Sequence, residues 1–252
     1  ATGVETITGS ASDVVTLITA HKADPSEINI DGDYNVTVSG DVSVDQANTI
    51  VLDTTGTADF TGKITDTAAN LLNGAGTALN AKLTAATSAV NGEGDGAVNV
   101  TVASGTVTAA QAHLIADATT GTVDFVAGIS DSAANLLNVD AISDDLAQAT
   151  ATGGAGDAGV DITVASGTVT LTQLAAIHAA TTGKITSDIS ASAADLAGGL
   201  DTTSGDAITA TVTGTSATAA HLNTINGKTS VAVIATGVET ITGSASDVVT
   251  LI

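Results

Sequence analysis

Three stretches of this chain alternate β-branched apolar residues with polar ones. Tyr34, Val36 and Val38 alternate with Asn35 and Thr37. Val98, Val100 and Val102 alternate with Asn99 and Thr101, and Val160, Ile162 and Val164 with Asp161 and Thr163. A period of two signals a strand with one buried face. Each run is closed by a glycine, in Ser39-Gly40, Ser104-Gly105 and Ser166-Gly167. An Ala- and Leu-rich stretch such as "DTAANLLN" from Asp66 follows the strand pattern. It is led by Asp, Ser or Thr, which cap the orphan amides of a first helical turn, so about two turns of helix are predicted there. Ser10 with Asp13, and Ser192 with Asp195, have capping-box spacing with Asp in place of Glu. A corner rich in Thr and Gly, such as "DATTG" from Asp117, comes next.

These segments recur. One family reads "YNVTVSGDVSVDQANTIVLDTTG" from Tyr34, "AVNVTVASGTVTAAQAHLIADATTG" from Ala97 and "GVDITVASGTVTLTQLAAIHAATTG" from Gly159. A second reads "ITDTAANLLNG" from Ile64, "ISDSAANLLNV" from Ile129 and "ISASAADLAGG" from Ile189, with "ITGSASDVVTL" from both Ile7 and Ile241 and a looser form from Val212. The families alternate, giving one strand-and-helix step about every thirty residues. The first eighteen residues, Ala1 to Ile18, return letter for letter as Ala235 to Ile252. The spacing of 234 residues reads as one unit of a tandem array (1–234) followed by the start of the next (235–252). The lack of an initiator Met and of a signal peptide fits a fragment or a processed chain.

A single step cannot bury its apolar face, whereas stacked steps can. The pattern therefore predicts a β-solenoid over 1–252: parallel β-coils, about eight per unit, with a short α-helix on many coils. Segments near 74–96 and 139–159 exceed the basic step and read as partly helical insertions. Phe60 in "ADFTGKI" and Phe125 in "VDFVAGI" occupy matching places and are expected to stack.

Composition narrows the picture. Apolar residues make up 43% of the chain but aromatics only 1%, so Ala, Val, Ile and Leu must fill a narrow core. The net charge is −22, from 27 acidic residues against 5 Lys and Arg. Only Glu5, Glu27, Glu93 and Glu239 are glutamates. The rest are Asp, a residue of turns and caps. Nucleic acid requires a basic face and anionic membranes attract basic segments, so neither is an expected partner. No apolar run approaches the ~20 residues of a membrane helix. Cysteine is absent, which excludes disulfides and thiolate metal sites.

The motifs "ISDSAANLL", "ITDTAANLL", "VTAAQAHLIADA" and "VTLTQLAAIHAA" resemble repeats of very large secreted bacterial proteins, the surface adhesins and filament-forming proteins often exported by type I systems. The resemblance covers most of the chain. It implies an extracellular or cell-surface structural or adhesive role and carries no catalytic residue with it.

Candidate chemistry is sparse. Calcium is the most plausible ligand, and its candidate oxygen donors are Asp31 with Asp33, Glu93 with Asp95, and Asp157 with Asp161, all at Gly-rich turns. The last pair lies in "GGAGDAGVD", which is similar to the secreted calcium repeat but has its Asp one place early. Calcium takes six to eight oxygens, and each pair offers two carboxylates. His21, His113, His178 and His221 show no metal-ligand spacing, and no Ser or Thr sits in a nucleophile motif, so no enzyme is expected. The chain reads as a non-catalytic structural repeat of an extracellular bacterial filament, sheath or giant surface protein, a rod or spacer built by coil-on-coil stacking. Its expected partners are identical or similar repeats end to end, with cell-surface or glycan contacts. The alternatives are a calcium-stiffened adhesin and a ligand-binding module, of which an ice-binding one would use Thr37, Thr101 and Thr163.

Overall fold

The computed structural model describes residues 3–26, 30–88, 94–151, 155–203 and 205–251. They form an α/β protein that divides into two compact units, Ala1–Ala127 with Ala151–Asp157, and Gly128–Thr150 with Ala158–Ile252.

The first unit runs β1 (Val4–Ser10), α1 (Ala11–Ala23), β2 (Ile30–Ser39), α2 (Val44–Val51), β3 (Ala58–Phe60), β4 (Lys63–Thr67), α3 (Ala68–Leu71), α4 (Ala81–Thr87), β5 (Asn99–Ser104), α5 (Ala109–Ala116) and β6 (Val123–Phe125). Its strands form two parallel sheets, β1-β2-β3 and β4-β5-β6. The second unit runs β7 (Ile129–Ser132), α6 (Ala133–Leu136), β8 (Leu137–Asn138), β9 (Ala141–Ile142), α7 (Asp144–Ala149), β10 (Ile162–Val169), α8 (Leu171–Ala180), β11 (Ile185–Ser192) and α9 (Ala193–Gly199). It continues with β12 (Ala207–Thr213), β13 (Ser216–Thr218), α10 (Ala219–Asn226), β14 (Thr240–Thr242) and α11 (Ala245–Leu251). Here β7, β10, β11 and β12 make a parallel sheet, β13 and β14 a parallel pair, and β8 and β9 a two-residue antiparallel hairpin.

The β-solenoid expected from the sequence is not what the structure holds. Its three repeated strands fall in three separate sheets: Tyr34–Ser39 in β2, Asn99–Ser104 in β5 and Ile162–Val169 in β10. The protein is a mixed fold of short parallel sheets and helices, not one column of stacked coils. The physical reason lies in the edges. Strands β3 and β6 are only three residues long, and each ends its sheet after pairing with β2 or β5. Period-two alternation reports that a strand has a buried face; it does not report which strand lies alongside. Phe60 and Phe125 are both buried, but they lie in different sheets, one paired with Val38 and the other with Val102. Thr101, expected on the solvent face with Thr37 and Thr163, is buried in β5, the middle strand of its sheet, against which α3 also packs.

Local chemistry follows the sequence closely. Helix starts are capped by Ser, Thr or Asn, and three are full capping boxes with Gln: Ser43 and Gln46, Thr108 and Gln111, Thr170 and Gln173. At Ser10 and Ser192 the box is incomplete. Ser10 Oγ accepts from Asp13 N at 3.2 Å, but the Asp13 carboxylate accepts from the Ser10 hydroxyl (2.7 Å) and not from the cap amide. The Asp195 carboxylate behaves the same way toward Ser192. The Asp chain is one methylene shorter than Glu and binds the nearer donor.

The Thr-Gly corners are built devices. Thr119 Oγ1 donates to Val98 O at 2.6 Å and accepts from Gly121 N at 2.9 Å. Thr181 does the same with Val160 O (2.6 Å) and Gly183 N (2.9 Å), and Thr54 with Tyr34 O and Gly56 N. All three threonines are buried, and each hydroxyl satisfies two backbone groups that the corner would otherwise orphan. The following glycine is required because a Cβ at Gly183 would fall against the carbonyl oxygens of Gly159 and Val160. The next amide is caught by a side chain in, or just ahead of, the preceding strand: Thr57 N by Asn35 (3.0 Å), Thr122 N by Asn99 (2.7 Å) and Lys184 N by Asp161 (2.7 Å).

Candidate functional site

The carboxylates proposed for calcium are dispersed. Asp31 and Asp33 flank Gly32 in β2, Asp33 exposed and Asp31 half-buried. Glu93 lies outside the described residues. Asp95 accepts from Phe60 N at 3.2 Å and from Ala97 N at 3.0 Å, and Asp157 accepts from Phe125 N at 3.0 Å. Asp161 belongs to the second unit and holds the corner amide of Lys184. Asn35 and Asn99 do the same work in the equivalent corners, so a charge is not needed at this place. Among the described residues, no group of three His, Asp or Glu side chains converges to hold a metal ion. Of the pairs read from sequence, Asp31 and Asp33 remain neighbours on one strand, while Asp157 and Asp161 fall in different units.

The polar cluster that sequence reasoning missed surrounds the single tyrosine. Tyr34 occupies the place that Val98 and Val160 hold just ahead of β5 and β10 and is 1% exposed. A buried phenol needs a partner, and Tyr34 Oη donates to Asp53 Oδ2 at 2.7 Å. Lys22 Nζ reaches Asp53 Oδ1 at 2.7 Å. Burial first, then the hydrogen bond to Asp53 and its charge, push the Tyr34 hydroxyl far above the usual phenol range. A cleft of about 210 Å³ opens here, lined by His21, Lys22, Ile30, Asp31, Tyr34 and Asp53. The phenol is kept protonated and both Asp53 oxygens are engaged. The arrangement therefore clamps α1, β2 and the turn after α2 together, while His21, which also lines the cleft, keeps its buried Nδ1 without a hydrogen-bond partner. The signal in the sequence was the substitution itself, a lone Tyr at a position otherwise filled by Val.

A second cluster lies in the other unit. Asp206 is 2% exposed and accepts from Ile185 N (2.9 Å) and Thr203 N (2.7 Å). His178 stands 3.7 Å from both Asp206 and Asp201. Asp206 plays the backbone-acceptor part that Asp95 and Asp157 play in the first unit, each binding the amide of a strand residue.

The threonine rows are short. Thr37 lies between Thr8 and Asp59, Thr101 between Thr65 and Asp124, and Thr163 between Ser130 and Thr186. Two rows end in a carboxylate after two threonines, which breaks the regular array that templating water would need.

Among the described residues, no helix is long and apolar enough to cross a membrane. Comparison of the chain with protein-family models, with curated proteins and with solved structures finds no match.

Proposed function

We propose that the chain is a non-catalytic structural repeat of an extracellular bacterial filament, sheath or giant surface protein, acting as a spacer whose neighbours are identical or similar repeats in series. The observation that carries this reading is the return of residues 1–18 as residues 235–252. Both copies build the same local structure. β1 leads into α1 at Ala11 and β14 into α11 at Ala245, and Ser10 and Ser244 bind the amide and carboxylate of Asp13 and Asp247 in the same way. A net charge of −22 suits a chain that stays soluble. The Lys22–Asp53–Tyr34 clamp and the Asp206 carboxylate support a scaffold, since these groups hold one another or backbone amides. Three of the six carboxylates proposed for calcium, Asp95, Asp157 and Asp161, are engaged with backbone amides too, which leaves the calcium-stiffened alternative the weaker reading.

An antibody raised against the recombinant chain tests the proposal on intact and lysed source cells. The expected antigen is much larger than this chain and is lost when intact cells are shaved with protease. An antigen of this chain's size that is protected in intact cells and released only by lysis would overturn it.

A further inference from the structure

The repeated segment meets different neighbours in its two positions. In the first copy β1 pairs with the strand that follows it, β2, and α1 packs on α2. In the second copy β14 pairs with the strand that precedes it, β13, and α11 packs on α10. The two pairings use opposite strand edges. Val36 N donates to Thr57 O and Val38 O accepts from Thr61 N, so these residues face β3, and alternation turns Asn35 and Thr37 toward β1. With Ile7 opposite Val36, the backbone groups of Ile7 then face β2. In the second copy Thr240 N donates to Thr215 O, so the next residue, Ile241, turns its backbone groups to the free edge of β14. Ile241 is the counterpart of Ile7.

The side chains agree. Ile7 is 7% exposed, while Ile241 is 46% exposed. Ala11 is buried beneath its neighbours and Ala245 is exposed. Beside them an apolar groove of about 320 Å³ is lined by Leu222, Val233, Ala235, Ile241 and Leu251. The face that β2 and α2 cover in one copy stands open in the other.

We infer that the open edge of β14 and the adjoining face of α11 are a docking surface for the β2–α2 segment (Ile30–Val51) of a second copy of this chain. The occupant is identified within the molecule itself, because Ile30–Val51 already covers these same eighteen residues at the other end. In the second copy that segment is held by its own β1–α1. The incoming β14–α11 is identical in sequence and replaces it, a strand exchange between chains. The inference deepens the repeat reading by naming the contact between neighbours, though the contact itself can be tested wherever the protein resides.

The test uses the full chain. Ile7→Asp loosens β1 from β2 and leaves the β2–α2 site open to another chain's C-terminal copy. The expected result is concentration-dependent assembly of I7D in sedimentation, abolished in I7D/I241D. A monomeric I7D, or equal assembly by both variants, would overturn the inference. A second measurement does not depend on how well I7D folds. The chain has no cysteine, so full chains carrying Thr37→Cys and Thr242→Cys can be mixed and treated with a short thiol cross-linker. Thr8 lies opposite Thr37, so Thr242 of one chain should meet Thr37 of the other. A mixed dimer in several-fold excess over either homodimer supports the exchange, and random pairing refutes it. Failure here with a surface-exposed giant antigen would sink the docking contact alone; success with a small intracellular antigen would sink only the proposed role.

Discussion

Residues 4–10 and 238–244 have the same sequence and different surroundings. Near the start, Ile7, Val14 and Ile18 are covered by β2 and α2. Near the end, Ile241, the twin of Ile7, is 46% exposed, and Val248, the twin of Val14, is half-buried. Strand, cap and helix form in both places, so these are properties of the segment. Burial differs, so it is a property of the neighbours. The pair is an internal control that separates local propensity from tertiary packing.

The sharpest way to break the comparison is a buried charge. Ile7→Asp should cost several kcal/mol, because an unpaired carboxylate is placed in an apolar interior. Ile241→Asp should cost under about 1 kcal/mol, as expected at an exposed site. Urea unfolding of both variants reads the difference, and equal losses would mean that the two faces are not distinct. The polar clamp beside the covered copy comes next. Tyr34→Phe removes the hydroxyl held by Asp53 and leaves that carboxylate short of one donor, for a loss of about 1–3 kcal/mol.

The same phenol sets a pH signature. Its hydroxyl titrates well above the ordinary value of 10.0 in the folded chain. The unfolded chain therefore releases the proton first as pH rises, and the folded state loses stability progressively above pH 10. The contribution is fully present below that pH. Thermal melts across the alkaline range should show a steeper decline for the wild type than for Tyr34→Phe.

Capping sharpens the comparison from the local side. Ser10→Ala and Ser244→Ala each remove one cap, worth about 1 kcal/mol of helix stability. Only the first should lower the midpoint of the first unit, because α1 is packed there while α11 is mostly exposed; hydrogen exchange should show α11 fraying in the second variant. The smallest effect concerns calcium. With Asp95, Asp157 and Asp161 already accepting from backbone amides, a chelator should leave the unfolding midpoint unchanged. A clear drop in midpoint would return those carboxylates to the list of ligands.

Much of the local structure was legible in the sequence. The alternation at Tyr34–Val38, Val98–Val102 and Val160–Val164 marked real strands, and the Ser and Thr residues ahead of the Ala-rich stretches are real caps. Two things were not legible. One was the duty of the Asp residues at the corners, because a carboxylate that binds an amide some 20 to 35 residues away looks the same in sequence as a solvated turn or a metal ligand. The other was the clamp of Lys22, Tyr34 and Asp53, which only folding brings together.

The sequence by itself determined the helix caps and the buried faces of the three repeated strands, because capping and period-two burial act between residues close in the chain. The tertiary structure alone decided that β2, β5 and β10 lie in separate sheets, that Thr101 is buried, and that one copy of a repeated segment is covered while its twin is open. Those outcomes depend on which strand edge lies free when the next strand arrives, and a backbone edge offers the same hydrogen bonds to any strand. Side-chain pattern cannot encode that choice; the connections and the neighbouring surfaces make it.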